Sequence, residues 1–147
     1  VKVVYTNNWV DPPAETEAAQ ALISSGADIL AQHQDSDAVQ QRAAQAGILG
    51  IGYDSDMRKT AGDSVLTSPI WDWSKYYGPQ FEAIKNGTWK PEWYWKSDVV
   101  GLADYSPKVP DDVKKLVEEY QAKVASGEVK IFDLPDEQLW TYGTTAQ

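Results

Sequence analysis

Cysteine is absent from the 147 residues. That excludes disulfides, cysteine-ligated zinc and thiol catalysis. The redox compartment stays open, because a cysteine-free chain suits the cytosol and a bacterial periplasm equally. Positive charge is scarce: 13 Lys and Arg stand against 22 Asp and Glu, a net charge of −9. The basic residues are scattered and form no stripe, so phosphate binding is disfavoured and nucleic acid is not an expected partner. No apolar run approaches the length of a transmembrane helix. The opening VKVVYTNN reads as a strand and not as a signal peptide.

Histidine occurs once, at His33. A catalytic histidine needs an orienting group and a nucleophile, and GxSxG is missing along with cysteine. GxGxxG, the P-loop and HExxH are missing too. The glycines of GILGIGYD lie in a strand core and carry no weight as a motif. Asp54 and Asp56 in YDSD, with Asp35, could cluster around a divalent metal. The DSD pattern nevertheless lacks the spaced ligands and glycine of an EF-hand. Neither a metal nor a cofactor is expected, and paired carboxylates for glycoside cleavage have no positive support.

What the chain does have is tryptophan, seven in all. Each brings a large contact area and one N–H that wants a partner, so the excess points to an aromatic surface or pocket. The segments alternate. VKVVY (1–5) has the β-branched content of a buried strand. After Pro12 and Pro13, residues 14–26 read as a helix with Glu15 and Glu17 in the first turn, where the dipole favours anions, and Gly26 ends it. ADILAQ (27–32) is a second strand. Asp35, Ser36 or Asp37 can cap a helix in which Val39, Ala43 and Ala46 share a face. ILGIG (48–52) and SVLTSP (64–69) are further strands. Residues 71–87 look helical after Asp72 or Ser74, with a kink or break predicted at Pro79. A strand is expected near residues 97–102. VPDDVKKLVEEYQAKVASG (109–127) is a helix with Val113, Leu116, Val117, Tyr120 and Val124 as its apolar stripe, and 128–135 is a candidate last strand.

Strands alternating with helices imply an α/β three-layer sandwich with a mostly parallel sheet. Ligands of such sheets sit outside the carboxyl ends of the strands. Here those ends are residues 6–9, 32–36, 53–56 and 67–73, all rich in Asn, Gln, Asp, Ser and aromatics, whereas strand interiors are plain Val, Ile and Leu. The candidate ligand-binding residues are therefore Asn8, Trp9, His33, Gln34, Tyr53, Asp54, Trp71 and Trp73. Several have a bland alternative. Trp9 is either a stacking platform or a hydrophobic lid over the helix start. Asp56 suits turn and cap chemistry, while Asp54, directly at the strand end, suits ligand contact. His33, flanked by Gln32 and Gln34, suits polar readout of a small molecule. Tyr76 and Tyr77 are expected to face the core. Trp89, Trp93 and Trp95 are expected to pack their loop onto the domain.

YTNNWVDPPAE, GADILAQHQDS, GILGIGYDSDM, LTSPIWDWSKYY, NGTWKPEWYW and VPDDVKKLVEEYQAKVASGEVKIF together resemble the basic membrane protein family. These are the extracytoplasmic substrate-binding components of ABC transporters, also called purine nucleoside receptor-like. The resemblance runs in order over about residues 1–132 and implies one lobe, the carboxyl-terminal one, of a type I periplasmic-binding-protein fold. In such proteins two α/β lobes close on ligand about a hinge. Residues 133–147 form a tail without assignment. The resemblance places Trp9 where relatives stack an aromatic on the purine ring, and Asp54 where an acid binds polar ligand groups. His33 or Gln34 falls on the loop passing the ligand. Trp71 stands near a lysine that serves ribose in nucleoside-binding relatives, a departure that favours a free purine base. Asp54 stands where the most similar sub-group often has Asn, and Asp accepts hydrogen bonds only, whereas Asn also donates. The expected partners are a purine-like ligand and, through the full-length protein, an ABC permease. The expected location is extracytoplasmic, with any membrane attachment through a lipid anchor outside this chain. A ligand-sensing regulatory domain of the same fold is the alternative. A hydrolase or nucleosidase would need a nucleophile or a metal–carboxylate set that the sequence does not offer.

Overall fold

The computed structural model describes residues 1–91 and 99–129. Two compact units divide the chain, residues 1–109 and 110–147.

The first unit begins with helix α1 (Pro12–Ser24). Asp11 caps it, its Oδ1 accepting from the Ala14 amide at 3.2 Å, and the two prolines occupy the first turn, where missing N–H groups cost nothing. Strand β1 (Ile29–Ala31) follows, then helix α2 (Ala38–Gln45) and strand β2 (Leu49–Ile51). Asp37 is the N-cap residue of α2, without a side-chain cap bond, and just ahead of it Ser36 Oγ accepts from the Ala38 amide at 3.3 Å. β1 and β2 pair in parallel, Leu30 opposite Gly50. Ala19 of α1, Leu30, Val39 and Ala43 form a buried cluster, with Leu22, Ile23, Ala27 and Ile48 packed against it.

After a short helix α3 (Arg58–Ala61) and a single 3-10 turn (Gly62–Ser64), the chain enters β3 (Pro69–Trp71), helix α4 (Ser74–Lys85) and β4 (Val100–Leu102). β3 and β4 run antiparallel. The two strand pairs belong to one hydrogen-bonded system. The Leu66 amide donates to Gly50 O at 2.8 Å and the Gly52 amide to Thr67 O at 3.0 Å, a parallel link along β2. On the other side, the Ala103 amide donates to Ser68 O and the Ser106 amide to Leu66 O. The segment predicted as a strand at 64–69 therefore runs between β2 and the chain that carries β4; Val65 makes an isolated parallel bridge to Gly50, and the strand proper is Pro69–Trp71, antiparallel to β4.

Two glycines of β2 and its exit explain the GILGIG run. A methyl group on Gly50 would lie 1.8 Å from Gln40 Oε1, and one on Gly52 would lie 2.2 Å from Ser68 Oγ. Gln40 is fully buried and its amide donates to Ile51 O at 2.9 Å and, longer, to Leu30 O at 3.4 Å, tying both parallel strands to α2.

Three expectations are corrected. VKVVY is not a strand: it joins no ladder, and Val1, Val3, Val4 and Tyr5 are exposed. β-branched residues favour extended backbone, but a strand exists only where a neighbour takes its hydrogen bonds. Of the kink or break predicted at Pro79, the break does not occur: α4 runs through it to Lys85. Tyr77 does not face the core; it is exposed, as are Trp73, Phe81 and Ile84 of the same helical stripe. Trp89 is also exposed, its indole N–H donating to Gln80 Oε1 at 2.8 Å. Trp93, Trp95, most of the 128–135 segment and the tail lie outside the described residues.

In the second unit, helix α5 (Asp111–Ser126) starts after Pro110 and ends at Gly127, whose φ of 78° is left-handed. Lys123 Nζ meets Glu119 Oε1 at 2.6 Å, one turn away, and that hydrogen bond raises the Lys123 pKa above its ordinary value. Val113, Leu116, Tyr120 and Val124 of the predicted stripe are exposed.

Candidate functional site

Three of the four predicted strand-end segments meet. The residues after VKVVY, the loop after β1 and the loop after β2 bring Trp9, His33 and Tyr53 into one row of rings. Trp9 and His33 have centroids 6.0 Å apart at 44°, and His33 and Tyr53 are 4.2 Å apart at 41°. His33 is the shared middle member. Trp9 keeps 63 % of its surface exposed, so the ring is available for stacking rather than consumed in packing.

The loops are cross-linked through their backbones and polar side chains. The Asp35 amide donates to Trp9 O at 3.0 Å. Gln34 Nε2 donates to Thr6 Oγ1 at 2.9 Å, and the Thr6 hydroxyl donates to Asn8 O at 3.2 Å. Gln32 Nε2 reaches Gln34 O and Ser36 O, folding the 32–36 loop on itself. Gln34, predicted as a ligand contact, gives one amide hydrogen bond to the loop.

Backbone conformation marks the same place. Among the described residues only Asn7 and Asp54 are non-glycine residues with left-handed φ, 54° and 67°. Asn and Asp tolerate that region better than other residues, and such conformations gather at functional sites. The Ser55 amide donates to Tyr53 O at 2.7 Å, closing a tight three-residue turn with Asp54 at its apex and its side chain exposed. Asp56 behaves as the turn reading predicts: its Oδ1 accepts from the Arg58 amide at 3.3 Å.

A cavity of about 1030 Å³ opens between residues 1–9 and β1. Tyr5, Thr6, Asn8, Trp9, His33 and Gln34 are among its lining, which places four predicted site residues on one concave surface. Tyr53 and Asp54 stand beyond that lining. Trp71 and Trp73 form a different cluster. Their rings are 6.1 Å apart and only 19° from parallel, and Tyr77 lies 5.9 Å from Trp73. Among the described residues no ring contact joins this cluster to Trp9, His33 and Tyr53.

Sequence reasoning missed Glu15. It is completely buried, its Oε1 accepting from the Asp11 amide at 2.8 Å and its Oε2 from the Ser36 hydroxyl at 2.5 Å. A glutamate in the first turn of a helix is read as a partner of the dipole, and its position four residues after Asp11 is one beyond the capping-box spacing. Among the described residues no group of His, Asp and Glu could hold a metal ion, and no helix is long and apolar enough to cross a membrane.

Residues 1–134 match the sequence model of the Bmp family, described as PnrA-like ABC transporter substrate-binding proteins. A purine-binding protein of Brucella abortus is 44 % identical over 137 residues, which cover 92 % of this chain and 39 % of that protein. A putative ABC transporter glucose-binding protein of Haloferax volcanii is 37 % identical over 134 residues, covering 89 % and 34 %. This chain thus spans less than two fifths of the length of either relative. Among solved structures, a transcriptional activator of the comK gene from Bacillus halodurans superposes with a TM-score of 0.76 at 22 % identity, covering 87 % of this chain and 47 % of that one. An ABC transporter solute-binding protein from Conexibacter woesei superposes with a TM-score of 0.71 at 25 % identity, covering 90 % and 45 %. The fold is α/β, one lobe of the periplasmic-binding-protein type.

Proposed function

The chain belongs to the PnrA-like family of ABC transporter substrate-binding proteins, and from that premise we propose that it binds a small flat heterocycle, a purine base or nucleoside, for an ABC importer. The observation that carries this is the row Trp9–His33–Tyr53, in which His33 and Tyr53 lie just past the carboxyl ends of β1 and β2 and the indole of Trp9 is exposed. An exposed indole stacks on a purine face, and each such stack contributes roughly 1–3 kcal/mol. A purine also presents ring nitrogens and exocyclic groups at its edge, which suit His33, Asn8 and the Asp54 carboxylate. Trp71 and Trp73 supply a second aromatic surface for the same ligand, and an indole in place of a cation there favours a free base over a nucleoside. The name of the Brucella abortus relative supports a purine ligand.

On this reading the chain performs no chemistry and releases its ligand unchanged. The full protein works outside the cytoplasm, held at the membrane by a lipid anchor, and delivers to a permease. Calorimetric titration with adenine, guanine, hypoxanthine and their nucleosides tests it, with glucose as the comparison because one relative bears that name. Saturable heat with at least one base is expected, and Trp9→Ala weakens it about 10- to 100-fold. Heat from glucose and none from any purine would overturn the purine assignment. Recovery of only a converted product from denatured, ligand-loaded protein would overturn the absence of catalysis.

A further inference from the structure

We infer that Glu15 is a positioning residue of the aromatic site: through Ser36 and the Asp11 amide it holds the Trp9 loop against the His33 loop. The inference rests on the reading of Trp9, His33 and Tyr53 as the ligand site, but its geometry stands apart from the ligand's identity.

Glu15 has no solvent exposure, and among the described residues no ion pair includes it. Burying a carboxylate without a cation is unfavourable unless its oxygens are hydrogen-bonded. Both are. Oε1 takes the amide of Asp11, two residues past Trp9, at 2.8 Å, and Oε2 takes the hydroxyl of Ser36, three residues past His33, at 2.5 Å.

The start of α1 does not require this arrangement. Asp11 Oδ1 already caps the helix through the Ala14 amide, and an exposed carboxylate in the first turn would answer the dipole equally well. What burial adds is reach. The Oε2 bond crosses 21 positions of sequence to a loop outside the helix. Ser36 in turn takes the Ala38 amide at 3.3 Å, so the contact ends on the first residue of α2. The other links between the two loops, Asp35 N–H to Trp9 O and Gln34 Nε2 to Thr6 Oγ1, are neutral bonds. Glu15 supplies the one made by a fully buried carboxyl group, which bonds both the Asp11 amide and the Ser36 hydroxyl.

His33 provides the readout. It is the single histidine, so a chain labelled with ¹³C-histidine gives one Cε1–H signal that needs no assignment. Trp9 at 6.0 Å and Tyr53 at 4.2 Å displace it by their ring currents, and Trp9→Ala calibrates the share due to Trp9. In ligand-free protein, Ser36→Ala and Glu15→Ala are expected to move the signal toward its position in Trp9→Ala, while Ser36→Thr, which keeps the hydroxyl, stays with the wild type. A role confined to stability would lower the melting temperature and leave the folded-state signal in place. Folded Ser36→Ala and Glu15→Ala with an unmoved signal would overturn the inference. Should Glu15→Ala fail to fold, Ser36→Ala against Ser36→Thr decides alone. In the second arm adenine is titrated. If the wild type binds it, Ser36→Ala is expected to bind about tenfold more weakly, and equal affinity would also overturn the inference. If the wild type binds neither adenine nor any of the other bases and nucleosides but the His33 signal moves as expected, the positioning role stands and the purine assignment is what fails.

Discussion

The His33 imidazole lies 4.2 Å from the Tyr53 ring, although the two residues leave different strands of the parallel pair. Their contact bridges the loop after β1 to the loop after β2, and Trp9 extends the row by one more ring. Replacing Tyr53 with Leu removes the aromatic face on one side of His33 while keeping bulk. The expected outcome is a loss of about 0.5–1.5 kcal/mol in ligand binding, read by calorimetry with the tightest-binding base, and little change in melting temperature. Unchanged affinity would detach Tyr53 from the site.

Gly50 presses its α-carbon against the amide of Gln40. An added methyl would lie 1.8 Å from Gln40 Oε1, and Gln40 is buried, with its N–H groups committed to Ile51 O and Leu30 O. Gly50→Ala is therefore expected to destabilise by about 1–3 kcal/mol. Adding Gln40→Ala should recover part of the loss, because the side chain that clashes is gone. Urea denaturation of the two single variants and the double variant measures the coupling; strict additivity would contradict the contact.

Gly78 gives the opposite expectation. It lies inside α4, has no left-handed φ, and a methyl there would meet nothing within 4 Å. Glycine in a helix interior is less favourable than alanine by roughly 0.5–1 kcal/mol. Gly78→Ala should raise stability by that amount in the same denaturation experiment.

Asp54 holds a left-handed φ of 67° at the apex of its turn. Asn suits that conformation as well as Asp does, so Asp54→Asn should change stability by less than about 0.5 kcal/mol. It does change the hydrogen bonding on offer, because Asn donates as well as accepts. Bases with a carbonyl at the ring edge, guanine and hypoxanthine, should gain relative to adenine in side-by-side titrations. An unaltered order of affinities would place Asp54 away from the ligand.

By itself the sequence determined what depends on local physics. Pro12 and Pro13 announced the start of α1, Gly127 the end of α5, and the apolar run around Gly50 a buried strand. The polar and aromatic residues that follow those apolar runs marked where a site would form, and Trp9, His33 and Tyr53 do meet there. Only tertiary structure decided matters that turn on which segments become neighbours. VKVVY has every local property of a strand and joins no ladder among the described residues, because ladder hydrogen bonds come from another segment. Tyr77 reads as a core residue, yet it turns outward beside Trp73, because helical spacing defines a face without saying what covers it. Glu15 looks the same in sequence whether it answers a helix dipole or ties two loops together. What sets its role is a serine 21 positions away, brought within reach only once α1 and α2 pack around Ala19 and Ala43.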